Sequence, residues 1–187
     1  MARRRYRRYR KRSGKWSPNI KRIGPSSFNI PAQTRDGTTI TLIENQPYDE
    51  TRGNNVLRTK NIEVSMEFET PTTNGANREN AYIESCTYYI LFVPEGYNVT
   101  IDTPIQHPEW IMAYKYTGSP ISEFYPQLAS VALMSNNKYI EKIRTRLSRN
   151  LNTGDRIVLY IEAANISENS AKELQYQGLV RWWTKAN

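Results

Sequence analysis

Apolar and polar residues alternate with a period of two along much of the chain beyond residue 35. The alternation is clearest in 62–69, where the four apolar side chains fall on every second position: Ile62, Val64, Met66 and Phe68. Because successive side chains of a strand point to opposite faces, this segment is predicted to be a strand with one buried face. An α-helix would distribute the same residues around its circumference.

Seven further segments favour strands by alternation or by their content of β-branched and aromatic residues, namely 38–44, 87–93, 110–116, 128–135, 142–148, 156–162 and 179–185. The turn-rich segment 150–155 is interpreted as a hairpin connection. Long loops are predicted at 71–80 and 102–108, and helix is confined to one short turn within 119–130. The sequence therefore predicts an all-β domain, a β-sandwich or jelly roll.

The N-terminal segment has a different composition from the β domain. Residues 1–22 contain 11 cations and no acid, whereas the other 165 residues contain 15 cations and all 18 acids, a net charge of −3. Mutual repulsion and scarce apolar surface predict that this segment is disordered in isolation. Prolines and glycines after it predict a linker that ends near residue 35. The expected division is an arm with its linker at 1–35 and a folded domain at 36–187.

An arginine-rich segment gains affinity for a polyanion by releasing counterions that are condensed on phosphates. Interleaved aromatic rings can stack on unpaired bases, at ~1–3 kcal/mol per base, which favours single strands. The candidate nucleic-acid-binding residues of the arm are Arg3, Arg4, Arg5, Tyr6, Arg7, Arg8, Tyr9, Arg10, Lys11, Arg12, Lys15, Trp16, Lys21 and Arg22. A nuclear-localisation signal is the simpler interpretation and could coexist with binding. A membrane-surface helix is disfavoured because the segment has no apolar face.

Two features of the β domain are candidate contact surfaces. Lys142, Arg144 and Arg146 would form a basic row on one strand face, which either extends the nucleic-acid path or is simply solvated. Trp182 and Trp183 are adjacent on a predicted strand and must point to opposite faces. One ring can fill the core, and the other needs cover from a loop, the second layer or another subunit, so this pair is the candidate subunit interface. The alternative is that both rings are buried within one sandwich.

Residues for catalysis or metal binding are scarce. The chain has one cysteine, Cys86, and one histidine, His107, and it lacks a glycine-rich phosphate loop. We therefore predict no catalytic residue, no metal, no cofactor and no internal disulfide. The longest apolar run, 88–93, is far shorter than the ~18 residues of a membrane span. These observations indicate a soluble, non-enzymatic protein of a reducing compartment.

Three segments together resemble a known family. They are the arginine-rich start 2–12 (ARRRYRRYRKR), the segment 144–155 (RTRLSRNLNTGD) and the terminal segment 178–184 (GLVRWWT). In this organisation the chain resembles the capsid proteins of small circular single-stranded DNA viruses, the circovirus-like group that encodes its own replication initiator.

The resemblance implies an eight-stranded antiparallel jelly roll that assembles with itself, 60 copies forming a small icosahedral T=1 shell. It also implies that the arm lies inside against single-stranded viral DNA and serves as the signal for the host nuclear import machinery. The protein would then occur in the virion and, during infection, in the host nucleus.

Two alternatives stay open. A satellite or small RNA-virus coat protein has the same architecture, and phosphate chemistry does not distinguish the two genomes. A cellular ribosomal or chromatin component would be expected to carry basic residues across its folded domain, and the net charge of −3 argues against it.

Overall fold

The computed structural model describes residues 15–46, 56–69, 85–117, 138–165 and 171–186. The predicted strand at 128–135, the predicted turn at 119–130 and the predicted loop at 71–80 lie outside these residues. The described strands are β1 (Ser17–Ile30), β2 (Thr34–Glu44), β3 (Leu57–Glu69), β4 (Ser85–Val93), β5 (Ile111–Thr117), β6 (Lys138–Thr145), β7 (Arg149–Leu151), β8 (Arg156–Asn165) and β9 (Lys172–Ala186). Seven of them overlap predicted strands, which confirms the all-β fold class. The predicted loop at 102–108 contains the short helix α1 (Thr103–Gln106).

The strands form two antiparallel sheets that pack face to face. The first sheet has the order β1-β9-β3-β6, with β7 beside β3, and the second has the order β2-β8-β4-β5. With the three-residue β7 left out, the eight remaining strands in chain order give 1-8-3-6 and 2-7-4-5. This interleaving of near and distant strands between two sheets is that of a jelly roll, so the eight-stranded sandwich is confirmed.

The core lies between the sheets and follows the predicted alternation. Ile62, Val64, Met66 and Phe68 of β3 are each at most 2% exposed. They face the buried side chains of β4 and β8 in the opposite sheet. The ring of Phe68 lies 5.1 Å from that of Tyr88, centroid to centroid. This contact joins the first sheet to the second through two fully buried aromatic side chains.

Strand β1 corrects the predicted boundary of the folded domain. The predicted division places residues 17–30 in the arm and its linker, yet they pair with β9 along almost their whole length. Ile23 and Ile30 are buried in the core. A bulge after Ile23 accommodates the Gly24–Pro25 pair, and Gly24 has the positive φ of 66° that glycine readily adopts. Prolines are tolerated in an edge strand such as β1, so the composition that indicates a linker is also compatible with this strand.

The segment 150–155 is not a hairpin, contrary to the prediction. Strand β7 pairs with β3 in the first sheet, whereas β8 pairs with β2 and β4 in the second. The connection therefore crosses between the sheets. Asp155 is buried there, and its carboxylate accepts hydrogen bonds from the backbone N–H groups of Asn152 (2.8 Å) and Glu95 (3.1 Å). Turn-forming residues mark a change of direction but do not determine which sheet the next strand joins.

Replacing Asp155 by alanine is expected to lower the free energy of unfolding by about 1–3 kcal/mol, because two part-buried backbone donors lose a charged acceptor. Urea denaturation measures the change. Asp102→Ala is the matched control, since Asp102 is exposed and makes no side-chain cap to α1. Equal stability of Asp155→Ala and the control variant would contradict this role for Asp155.

The single cysteine lies in the core. Burial raises the pKa of the Cys86 thiol from 9.0 to about 12. The thiol is therefore protonated at pH 8, and since the thiolate is the nucleophile, we expect Ellman's reagent to label native protein at least ~100-fold more slowly than protein in urea. Because the folded pKa is raised, this group's contribution to stability is complete below pH 9 and declines as the pH rises towards 12. Rapid stoichiometric labelling of the native protein would contradict the burial.

Candidate nucleic-acid interface

One face of the first sheet points away from the core and carries most of the candidate chemistry. Residues directly opposite each other on antiparallel neighbours share a face, so strand pairing arranges the outward side chains in rows across the sheet. Two rows cross all four long strands. They are Ile20, Arg181, Glu63 and Arg144, and Arg22, Leu179, Ser65 and Lys142. The predicted basic residues Lys142 and Arg144 are therefore brought beside Arg22 and Arg181, which are distant in sequence.

The next rows add further cations towards one end of the sheet. One row holds Pro18, Trp183 and Lys60, and the row after it holds Lys185 and Arg58. We call the cations of these four rows the cationic end of the first sheet: Arg22, Arg58, Lys60, Lys142, Arg144, Arg181 and Lys185. Glu63 is the one acid among the described side chains of the same rows. The opposite end of this face carries Glu67, Glu69 and Glu173, so the face is electrostatically polarised.

A bulge in β3 places Arg58 and Lys60 on the outer face. The register shifts by one residue between Lys60 and Glu63, and Asn61 has a positive φ of 51°. Asparagine is one of the few residues that tolerate this conformation. As a result Lys60 and Glu63 point to the same side although they are three positions apart. Strict alternation from Ile62 would turn Arg58 and Lys60 towards the core. Sequence reasoning therefore missed both residues, because alternation does not reveal a bulge.

Arg181 and Lys185 could have been found from the sequence. They alternate with Trp182 and Thr184 in the predicted strand 179–185 and must share a face with Trp183. The predicted nucleic-acid site does not include these cations, because the adjacent tryptophans of the same strand favour a subunit contact.

The other predicted cations have different positions. Lys15 is exposed just before β1, and Arg146 is exposed just after the end of β6 at Thr145. Lys21 points towards the core side, where its ammonium group donates a hydrogen bond to the backbone carbonyl oxygen of Thr41 in the second sheet, at 3.1 Å. Lys21 thus closes one edge of the sandwich and does not belong to the cationic end. Arg3–Arg12, with Tyr6 and Tyr9, lie outside the described residues.

The two adjacent tryptophans do point to opposite faces, as predicted. Trp182 packs against the core cluster, on the same side of β9 as the buried residues Leu174 and Val180. Trp182 is therefore the ring of the pair that packs on the core side, where it is half-buried. Trp183 is half-buried on the outer face, between Pro18 and Lys60 in the register.

Because β1 begins at Ser17, we restrict the name arm to residues 1–14 from this point. The arm leads into the first sheet at the cationic end of that sheet. Ser17, the first residue of β1, pairs with Thr184, between Trp183 and Lys185 of β9. Residues 1–14 hold eight of the 26 cations, so the chain from residue 15 onward has 18 cations and 18 acids. The chain from residue 15 onward is therefore neutral overall, and the cationic end of the first sheet is a local concentration of charge next to the attachment point of the arm. Such a concentration raises the local density of a polyanionic ligand.

The outer face of the second sheet has a different character. Its rings of Tyr160, Tyr89 and Tyr114 stack across three strands, with centroid separations of 6.1 and 6.4 Å. Tyr114 and Tyr116 on β5 are 67% and 64% exposed. Burial and the nearby carboxylate of Glu162 raise the pKa of Tyr160, which keeps its phenol protonated. This face thus presents the exposed rings of Tyr114 and Tyr116 beside a stack that reaches the buried Tyr160.

Within the described ranges, no three His, Cys, Asp or Glu side chains are grouped as a metal site would require. None of the helices in those ranges is long and apolar enough to cross a membrane.

No protein-family model and no curated protein matches this sequence. Among solved structures, the chain is similar to the VP2 subviral particle of infectious bursal disease virus, with 12% sequence identity and a TM-score of 0.43. The similarity covers 89% of this chain and 32% of the other, so this chain spans about a third of the length of that protein.

Proposed function

We propose that this protein is a viral coat subunit that assembles with itself into a small closed shell and packages single-stranded nucleic acid. The observation that carries the proposal is the position of the arm. A segment with eight cations in 14 residues joins a jelly roll at the cationic end of one sheet face. Jelly rolls occur in viral capsids, lectins and cupins, and a long arginine-rich extension at a cationic face suits a polyanionic cargo.

Packaging is the role that the arm would play. Fourteen extended residues reach about 46 Å at ~3.3 Å each, which is enough to contact a nucleic-acid strand beyond the edge of the sheet. We propose single-stranded DNA as the cargo on the strength of the family resemblance. RNA offers the same phosphates and remains the alternative cargo. In infected cells the arm would also serve as the import signal to the host nucleus.

Assembly would use other surfaces of the same domain. The exposed rings of Tyr114 and Tyr116 supply the aromatic area that is favoured at protein association surfaces. We propose a shell of 60 copies with T=1 geometry, in line with the resemblance, and a purely structural role without catalysis. A cellular nucleic-acid-binding protein is the second candidate, since the cationic end gives the folded domain a local basic face that such a protein would use.

Sedimentation of the purified full chain with analysis of its nucleic acid tests the proposal. We expect one fast-sedimenting species that carries nucleic acid protected from added nuclease. Sensitivity of the extracted nucleic acid to DNase or RNase identifies the cargo. A stable monomer at micromolar concentration, with or without bound nucleic acid, would contradict the coat function and favour the cellular alternative.

A further inference from the structure

Three side chains form an aromatic and cationic cluster where the arm meets the first sheet. The ammonium group of Lys60 lies over the ring of Trp16, 4.1 Å from its centroid. Lys60 is also the register partner of Trp183 on the outer face. Both rings are half-buried, so each keeps part of its surface in solvent.

We propose that Trp16 and Trp183, joined by Lys60, form a base-stacking site for single-stranded nucleic acid at the base of the arm. The inference rests on the proposed function and deepens it, because it assigns Trp183 to cargo binding. Unpaired bases stack on aromatic side chains in proteins that bind single strands without sequence preference. Arg58, Arg181 and Lys185 lie in the adjacent rows of the sheet, where they can contact the phosphates on either side of a stacked base.

Charge argues for nucleic acid as the occupant of this site over a second copy of the chain. The four rows of the cationic end hold seven cations and one acid among their described side chains. A two-fold contact through this surface would place the same patch against itself, and like charges in juxtaposition oppose such an interface. A polyanion is attracted to the same surface.

A comparison of single-stranded with duplex nucleic acid distinguishes base stacking from simple charge attraction. The bases of a duplex are already stacked on each other, so a duplex presents chiefly its phosphates to the cationic end. A single strand presents phosphates and free base faces. Loss of a ring should therefore weaken binding of single strands selectively, and the salt dependence should not change because no cation is removed.

The test compares variants of the full chain by fluorescence anisotropy, with a 15-nucleotide oligothymidine and a 15-base-pair duplex at several salt concentrations. We expect Trp183→Ala to weaken oligothymidine binding about 5- to 150-fold, the range for one stacked base, with the same salt slope and unchanged duplex binding. Trp183→Phe should retain most of the affinity. Tyr97→Ala, which removes a ring that is 52% exposed in the loop after β4 and belongs to neither proposed contact surface, is the matched control and should have no effect.

Unchanged oligothymidine binding by folded Trp183→Ala would overturn the inference. So would an equal loss for oligothymidine and duplex, since the ring would then act by positioning cations. Loss of assembly by Trp183→Ala with intact affinity would identify an interface between copies, which overturns the stacking site and leaves the coat function standing. Failure of the unaltered chain to form particles would instead contradict the coat function alone.

Discussion

Deletion of residues 1–14 should lower the affinity for single-stranded nucleic acid by about three orders of magnitude at ~0.1 M salt. The deletion removes eight cations, and each phosphate contact contributes ~0.7 to the slope of log affinity against log salt concentration for single strands. If each cation contacts one phosphate, the slope should therefore fall by about 6. The free energy of unfolding should not change, because β1 begins after the deleted segment, at Ser17. Anisotropy titrations across salt concentrations and urea denaturation measure the two effects.

A longer deletion, of residues 1–22, is the informative comparison. It removes the first six residues of β1 and exposes the edge of β9 to solvent. We expect this variant to unfold at lower temperature or to aggregate, as unpaired strand edges do. If the 1–14 deletion retained full affinity, or if the 1–22 deletion were as stable as the intact chain, the division between arm and folded domain at residue 17 would be wrong.

Phe68→Ala is expected to have the largest effect on stability of any single substitution discussed, a loss of about 3–5 kcal/mol. Phe68 is fully buried on β3 and contacts Tyr88 of the opposite sheet. Its truncation would leave a cavity between the two layers that close packing does not readily fill. Urea denaturation, monitored by circular dichroism, measures the loss.

Two further variants control for this effect. Phe68→Leu keeps most of the apolar volume and should lose far less stability than the alanine variant. Tyr116→Ala removes an aromatic ring of similar size from an exposed position, 64% accessible, and should change stability by less than ~0.5 kcal/mol. A Phe68→Ala variant as stable as Tyr116→Ala would show that the two sheets are not held together through this contact.

Alternation predicted the central strands because their burial repeats every second residue. In β3, residues 62–68 are buried at even positions and half-buried at odd ones. Strands with this pattern can be predicted from the sequence alone. Strand β1 escaped prediction because only Ile23 and Ile30 among its residues are buried. Its partners in β9 lie more than 140 residues away, and no local pattern reports a pairing at that distance.

The candidate site was predictable in part for a similar reason. Lys142 and Arg144 share a face by simple alternation, and the structure confirms that both point outward. Their proximity to Arg22 and Lys60 depends on a four-strand register and on the bulge at Asn61. The charge of the arm alone was enough to predict that it binds a polyanion. Its attachment to the cationic end depends on the pairing of β1 with β9, which no local sequence pattern reveals.

Electron microscopy of the purified full chain shows whether the jelly roll forms a shell and whether the arm and the cationic end of the first sheet bind nucleic acid inside it. We expect closed particles of uniform size whose first sheet turns its cationic end towards the lumen, against density for nucleic acid. Solitary molecules, or particles with that end facing the exterior solvent, would contradict it.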